Sequence, residues 1–118
     1  MSLTVGTDTY ISSDDADSYF DIRMNADEWS DTENYQHTET YLKAATHILD
    51  NYVHWNGVKT STSQALEWPR KYVRDRQGYL IDEDTIPQAL KYAQCELAYA
   101  LIEHDLLATT PANISKIN

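Results

Sequence analysis

Apolar residues recur at helical spacing in three stretches of the chain, and each stretch is bounded by residues that start or stop a helix. In the first, Ala16, Tyr19, Phe20, Arg23 and Met24 share one face. Ser12 opens an S-x-x-D box with Asp15, and Asp14, Asp15 and Asp17 suit the positive end of a helix dipole. This predicts a helix over about 13–25. In the second, Tyr35, Tyr41, Leu42, Ala45, Ile48, Leu49, Tyr52 and Val53 form a stripe behind a Ser30…Glu33 capping box. A helix is expected over about 31–52, with Glu39, Lys43, His47 and Asp50 on its wet face. In the third, Pro87 sits in a first turn that Thr85 and Gln88 cap, and the helix runs over about 87–106.

The segments between are different in kind. Residues 1–11 are Thr-rich and read as an extended lead-in; residues 25–29 read as a short connection. Gly57 ends the second helical region, VKTSTSQ is a polar loop, and residues 64–68 suit a helical turn. Pro69 then pushes Trp68 out of the helical region. Residues 71–74 and 79–81 are β-prone and flank Asp75-Arg-Gln-Gly78, where Gly78 can take the positive φ of a tight turn. The fold class expected is therefore all-α: a small bundle of three main helices with a short β-hairpin or loop at 71–81. Residues 1–106 form one domain, and residues 107–118, with a Pro and sparse apolar positions, form a C-terminal arm.

The last helix carries apolar residues on two sides. With Leu90 at zero on a helical wheel, Ala93, Leu97, Ala100 and Leu101 gather around it, and Tyr92, Cys95, Tyr99, Ile102 and Leu106 lie opposite. Lys91, Gln94 and Asp105 make one narrow polar strip, and Glu96 and Glu103 another. A helix apolar nearly all round is buried nearly all round. Either the other two helices and the hairpin cover both faces, or Tyr92, Cys95, Tyr99 and Ile102 meet a neighbouring subunit. Arg23 poses a smaller question of the same kind: a stem packed on an aromatic ring with its head in solvent, or an ion pair to a partner.

Charge sharpens the picture. The chain has 118 residues and a net charge of −10. Residues 1–56 hold eleven acids and two cations; residues 57–118 hold eight acids and seven cations. So acidic a chain opposes general nucleic-acid binding. Yet Arg70, Lys71, Arg74 and Arg76 fall within seven residues, among Trp68, Tyr72 and Tyr79. Cations interleaved with aromatics bind single strands by phosphate contact and base stacking. They also suit pairing with acids of a neighbouring subunit, or a plain solvated hairpin.

Catalytic chemistry is not expected. His47 and His54 lie on a wet face without converging ligands, so no metal is expected. Glu103-His104-Asp105 points three ways from a helix end. Cys95 has no His or Arg near it in sequence to lower its pKa and reads as a small core residue. Three glycines build no phosphate loop, and no cofactor is expected. MSLTVGTDTY has neither a basic nor an apolar signal region, and no apolar run reaches the ~20 residues of a membrane span.

The order TVGTDTYIS, DADSYF, ADEW, then ALEWPR, then RDRQGYLIDEDTIPQALKYAQCELAYAL, resembles a family of small head–tail connector (adaptor or neck) proteins of tailed phages over about residues 3–106. Some of its members carry the label DnaT-like single-stranded-DNA-binding protein. The resemblance implies a structural, non-enzymatic subunit that is made in a host cytoplasm and kept in the virion at the head–tail junction. It implies a homo-oligomeric ring, commonly of twelve, that docks under the portal protein, meets a tail or stopper protein, and lets DNA pass without specific binding. The tail's Leu107, Ile114 and Ile117 then become candidates for portal docking. The alternative is a single-stranded-DNA-binding module acting in replication.

Overall fold

The computed structural model describes residues 3–31, 35 and 37–104. Among these the chain is mostly helical: α1 is Ser13–Ile22, α2 Asp27–Ser30, α3 Thr38–Tyr52 and α4 Gln88–Glu103, with one short antiparallel ladder of β1, Val58–Lys59, on β2, Arg70–Lys71. The all-α expectation holds. Leu106, Leu107, Ile114, Ile117 and the whole proposed arm lie outside the described residues.

α1 begins as its capping box requires, with Ser12 Oγ accepting from the Asp15 N–H at 3.1 Å. It ends at Ile22, three residues before the expected end, because Arg23 turns extended and reaches α4. Its guanidinium pairs with both Glu96 oxygens at 2.8 and 3.0 Å, and also donates to the carbonyls of Met24 and Asn25. Asn25 takes φ 60°, a left-handed conformation that Asn tolerates better than most residues. The expected connection at 25–29 holds α2, whose Trp29 is buried. For the second long helix, Glu33 lies outside the described residues, while Ser30, its expected capping partner, instead ends α2 with its hydroxyl donating to the Asp27 carbonyl at 3.4 Å, and the described helix α3 starts at Thr38.

Two apolar clusters share α4. The larger joins Phe20 of α1, Trp29 of α2, Tyr41, Leu42 and Ala45 of α3, and Cys95, Ala98, Tyr99 and Ile102 of α4. Phe20 stacks on Trp29 at 4.2 Å and packs on Tyr99 at 5.5 Å. The smaller joins Tyr10, Leu49, Leu66, Trp68, Val73 and Leu90. Leu97 packs against both.

This corrects the reading of α4 as a helix with two separate apolar sides. Its buried positions run Leu90, Gln94, Cys95, Ala98, Tyr99, Leu101 and Ile102, a single broad arc on the wheel with Gln94 and Ala98 near its middle. Cys95, Tyr99 and Ile102, the candidates for an oligomer face, are covered by the chain's own α1, α2 and α3. Only Tyr92 is substantially exposed, beside Tyr19 at 4.8 Å.

Gln94, read as part of a polar strip, is fully buried. Its amide donates to Thr9 Oγ1 at 2.7 Å and to the Leu42 carbonyl at 3.0 Å, and its oxygen accepts from the Tyr10 N–H at 2.9 Å. A buried amide is tolerated only with such partners. Here it fastens the expected lead-in to α3 and α4, so Thr9, Tyr10 and Ile11 are core residues.

Candidate functional site

The cation cluster divides when it folds. Arg70 is 7 % exposed and is spent inside the molecule. It donates to the carbonyls of Asn56, Glu67 and Gly57 at 2.8–3.0 Å and pairs with Glu67 Oε1 at 2.9 Å. It therefore pins the 56–57 turn to the 67–71 segment. Gly57 is obligatory in that turn: it has φ 74°, and a Cβ there would lie 2.1 Å from the Lys71 carbonyl oxygen. Trp68 is likewise internal, 5 % exposed and edge-on to Trp55 at 5.5 Å. Arg70 and Trp68, both candidates for subunit or nucleic-acid contact, are thus structural.

A second polar network sets the same segment. The Tyr10 hydroxyl donates to Asp50 Oδ1 and accepts from the Trp68 N–H, while Asp50 Oδ2 accepts from the Glu67 N–H. Burial, then the Asp50 bond, pushes the Tyr10 hydroxyl far above its ordinary range, and burial also raises the Asp50 carboxyl. Asp50 is therefore a half-buried anchor and not the wet-face residue expected. The Trp68–Pro69 peptide that follows is cis.

Beyond β2 the chain makes the hairpin expected at 71–81. The Asp75 N–H donates to Tyr79 O and the Ile81 N–H to Val73 O, both at 2.8 Å, and Arg74 bridges Leu80 antiparallel. Gly78 closes the turn at φ 93°, and Asp75 Oδ1 accepts from the N–H groups of Gln77 and Tyr79. Val73 points into the small cluster, and its neighbours point out. Tyr72 is 75 % exposed and Tyr79 73 %, with Leu80 also exposed. Arg74 is held by the Gly78 carbonyl at 2.8 Å. The side chains of Lys71 and Arg76 have no hydrogen-bond or ion-pair partner among the described residues.

Tyr72 carries a second anomaly. Its φ is 67°, in a region where a side chain with a Cβ costs ~1–2 kcal/mol. The backbone is strained at the residue that presents an aromatic ring to solvent between two cations.

Beside the hairpin lies a cleft of about 790 Å³ between residues 54–56, the hairpin and the start of α4. Trp55, Trp68, Val73 and Leu90 line its apolar part, and Arg74 and Arg76 stand along one side. Among the described residues, no group of three or more His, Cys, Asp or Glu could hold a metal ion, and no helix is long and apolar enough to cross a membrane. Sequence reasoning set Tyr79 beside the cations but missed Leu80 as an exposed neighbour, and it missed the cleft entirely. The alternation around Val73 was the available signal for the first; nothing local signals the second, whose walls are distant in sequence.

Fold and site together define a small helical domain that displays a hairpin of cations and exposed aromatics. The chain belongs to the family described as "Putative DnaT-like ssDNA binding protein", which matches residues 2–117. No curated protein and no solved structure matches. The family match overturns the connector expectation: it gives no indication of a head–tail ring, a portal or tail partner, or DNA that passes without specific binding.

Proposed function

We propose that this protein is a single-stranded-DNA-binding module and that the hairpin at 71–81 is its contact surface. The observation that carries the reading is the pair of three-quarters-exposed tyrosines, Tyr72 and Tyr79, set among Lys71, Arg74 and Arg76. Exposed aromatic rings supply stacking platforms that accept any base, and the cations follow the phosphates. The family description supports it over the whole chain. The net charge of −10 works against it only at long range, because three cations act at contact distance inside a Debye length of ~10 Å. The function requires no catalytic step; it is binding alone.

Arg70 is committed internally, so three cations remain for phosphate contact. Binding of an oligothymidylate should then weaken with salt along a log–log slope of about −2, at ~0.7 per phosphate. Fluorescence anisotropy of a labelled strand measures this. Replacing Lys71, Arg74 and Arg76 by Ser should abolish the slope, while Tyr72→Ala should lower affinity at all salt concentrations by about 1 kcal/mol or more. A slope unchanged in the triple Ser variant refutes this surface as the site.

A further inference from the structure

We propose that the cleft beside the hairpin is a nucleobase pocket, taking one unstacked base of a strand whose phosphates lie on Arg74 and Arg76. The inference rests on the single-strand-binding reading above and adds to it a physical ground for preferring single strands over duplex.

Four features of the cleft converge on this occupant. Its volume of about 790 Å³ leaves room for a base and its sugar. Its accessible apolar lining is Trp55, Ile81 and Pro87, backed by the nearly buried Trp68, Val73 and Leu90, and Trp55 is held in place by donating its indole N–H to the Leu49 carbonyl at 3.0 Å. A flat aromatic guest gains contact with such walls without needing a hydrogen bond to them. Two side-chain amides, Asn56 and Gln88, also line the cleft and have no partner among the described residues. Each carries a donor and an acceptor side by side, which is the pattern an unpaired base edge presents in return. Finally, Arg74 and Arg76 lie on the wall shared with the hairpin, and Asp75 between them has Oδ1 taken up by the Gln77 and Tyr79 N–H groups, leaving two cations against one carboxylate. Their charge suits a guest joined to phosphates and distinguishes a nucleotide from an apolar peptide.

A base inside a duplex has its edge paired and its faces stacked, and extracting it costs a few kcal/mol. A single strand offers it with little penalty. The exposed tyrosines of the hairpin stack on bases from outside, whereas the cleft demands that a base leave the stack. Single-strand preference then comes from the cleft.

The discriminating variant fills the cleft without touching the hairpin. Ala93 lines it from an exposed position on α4, so Ala93→Phe places a ring in the space a base would occupy. The full-length protein is titrated with oligothymidylate and with an abasic strand of equal length, reading anisotropy of the strand and tryptophan emission of the protein. In the wild type the base-bearing strand should bind more tightly and change the emission of Trp55 and Trp68. Ala93→Phe should cut that preference at least about fivefold while leaving the abasic strand's affinity unchanged. If Ala93→Phe lowers the thermal midpoint, Ala89→Phe, on the same wall, replaces it. A base preference identical in the filled variants and the wild type overturns the pocket and leaves the hairpin site standing. Absence of binding by either strand overturns both.

Discussion

Around Phe20 the chain packs aromatic on aromatic between regular helices; around Trp68 it packs turns, a hairpin and two helix ends against a cleft. The larger cluster draws on four helices and carries its polar groups at the edge: Arg23 lies over the Tyr99 ring at 4.3 Å and pairs with Glu96, which also accepts from the Tyr19 hydroxyl. The smaller cluster takes Leu49 from α3 and Leu90 from α4, but Tyr10, Leu66, Trp68 and Val73 come from segments without helical hydrogen bonds of their own, so side chains supply them. Tyr10, Asp50 and Arg70 serve backbone groups of residues 56, 57, 67 and 68. One region holds the fold by buried apolar area; the other holds a shape by polar anchoring, and the candidate binding groups all stand on the second. Loops positioned by a rigid scaffold are where binding residues concentrate.

Removing an aromatic from the first region should break the molecule as a whole. Phe20→Ala leaves a void between Trp29 and Tyr99 and should cost about 3–5 kcal/mol. In the second region Val73→Ala removes two methyl-sized groups at ~0.8 kcal/mol each and should cost about 2 kcal/mol. Urea unfolding of the two variants side by side gives the ratio. Equal losses would mean that the two regions do not differ in how they carry stability.

A smaller effect of opposite sign is expected at Tyr72. Tyr72→Gly releases left-handed strain of ~1–2 kcal/mol, offset by ~0.5–1 kcal/mol of glycine's extra freedom when unfolded. The net gain, about 0.75 kcal/mol at mid-range, should raise Tm by about 2–6 °C. The same variant should bind oligothymidylate at least about fivefold more weakly. A variant that gains stability and keeps its affinity would show that the strain serves nothing at this site.

The smallest effect concerns acid. The Arg23 guanidinium holds the Glu96 carboxyl below its ordinary value near 4.5. Its stabilising contribution is therefore complete above that value and disappears as pH falls through the lower folded value. Asp50 is shifted the other way by burial, so it favours the folded state more as acid is added. Thermal melts of Glu96→Gln against wild type isolate the first group. The difference between them should be constant above pH 4.5 and shrink below it. A difference that persists unchanged into acid would place the value of Glu96 in packing and not in charge.

Legibility in the sequence follows the same division. Local grammar was enough for the Ser12 cap, the Gly78 turn, the end of α3 at Tyr52 and the start of α4 beside Pro87, because each is decided within one helical turn, although Pro87 itself is the N-cap and neither Thr85 nor Gln88 supplies the expected side-chain cap. It was not enough for Arg70, whose partners Asn56 and Gly57 lie 14 and 13 residues away, or for Gln94, bonded to residues 85 and 52 positions distant. A polar residue looks alike in sequence whether water or a distant carbonyl satisfies it. That ambiguity left open whether α4 needed a neighbouring subunit, when one buried amide joins its two apolar sides into a single arc. Of the candidate contact residues, Lys71, Tyr72, Arg74 and Arg76 stand on the outer surface of the hairpin or beside the cleft, while Arg70 turned inward and Trp68 backs the cleft wall nearly buried.

The buried sulfur of Cys95 has a practical corollary. It is the only cysteine in the chain, fully covered, and burial pushes its thiol up to about 12. The reactive species is the thiolate, so an alkylating reagent meets essentially none of it until the helices part. The time course of mass gain in a thiol-labelling experiment thus clocks the opening of the Phe20 cluster, with no engineered probe. The same silence leaves the protein free for chemical tagging: a cysteine placed at the exposed Gln77 would take a fluorophore alone, at the tip of the hairpin, and watch a strand arrive.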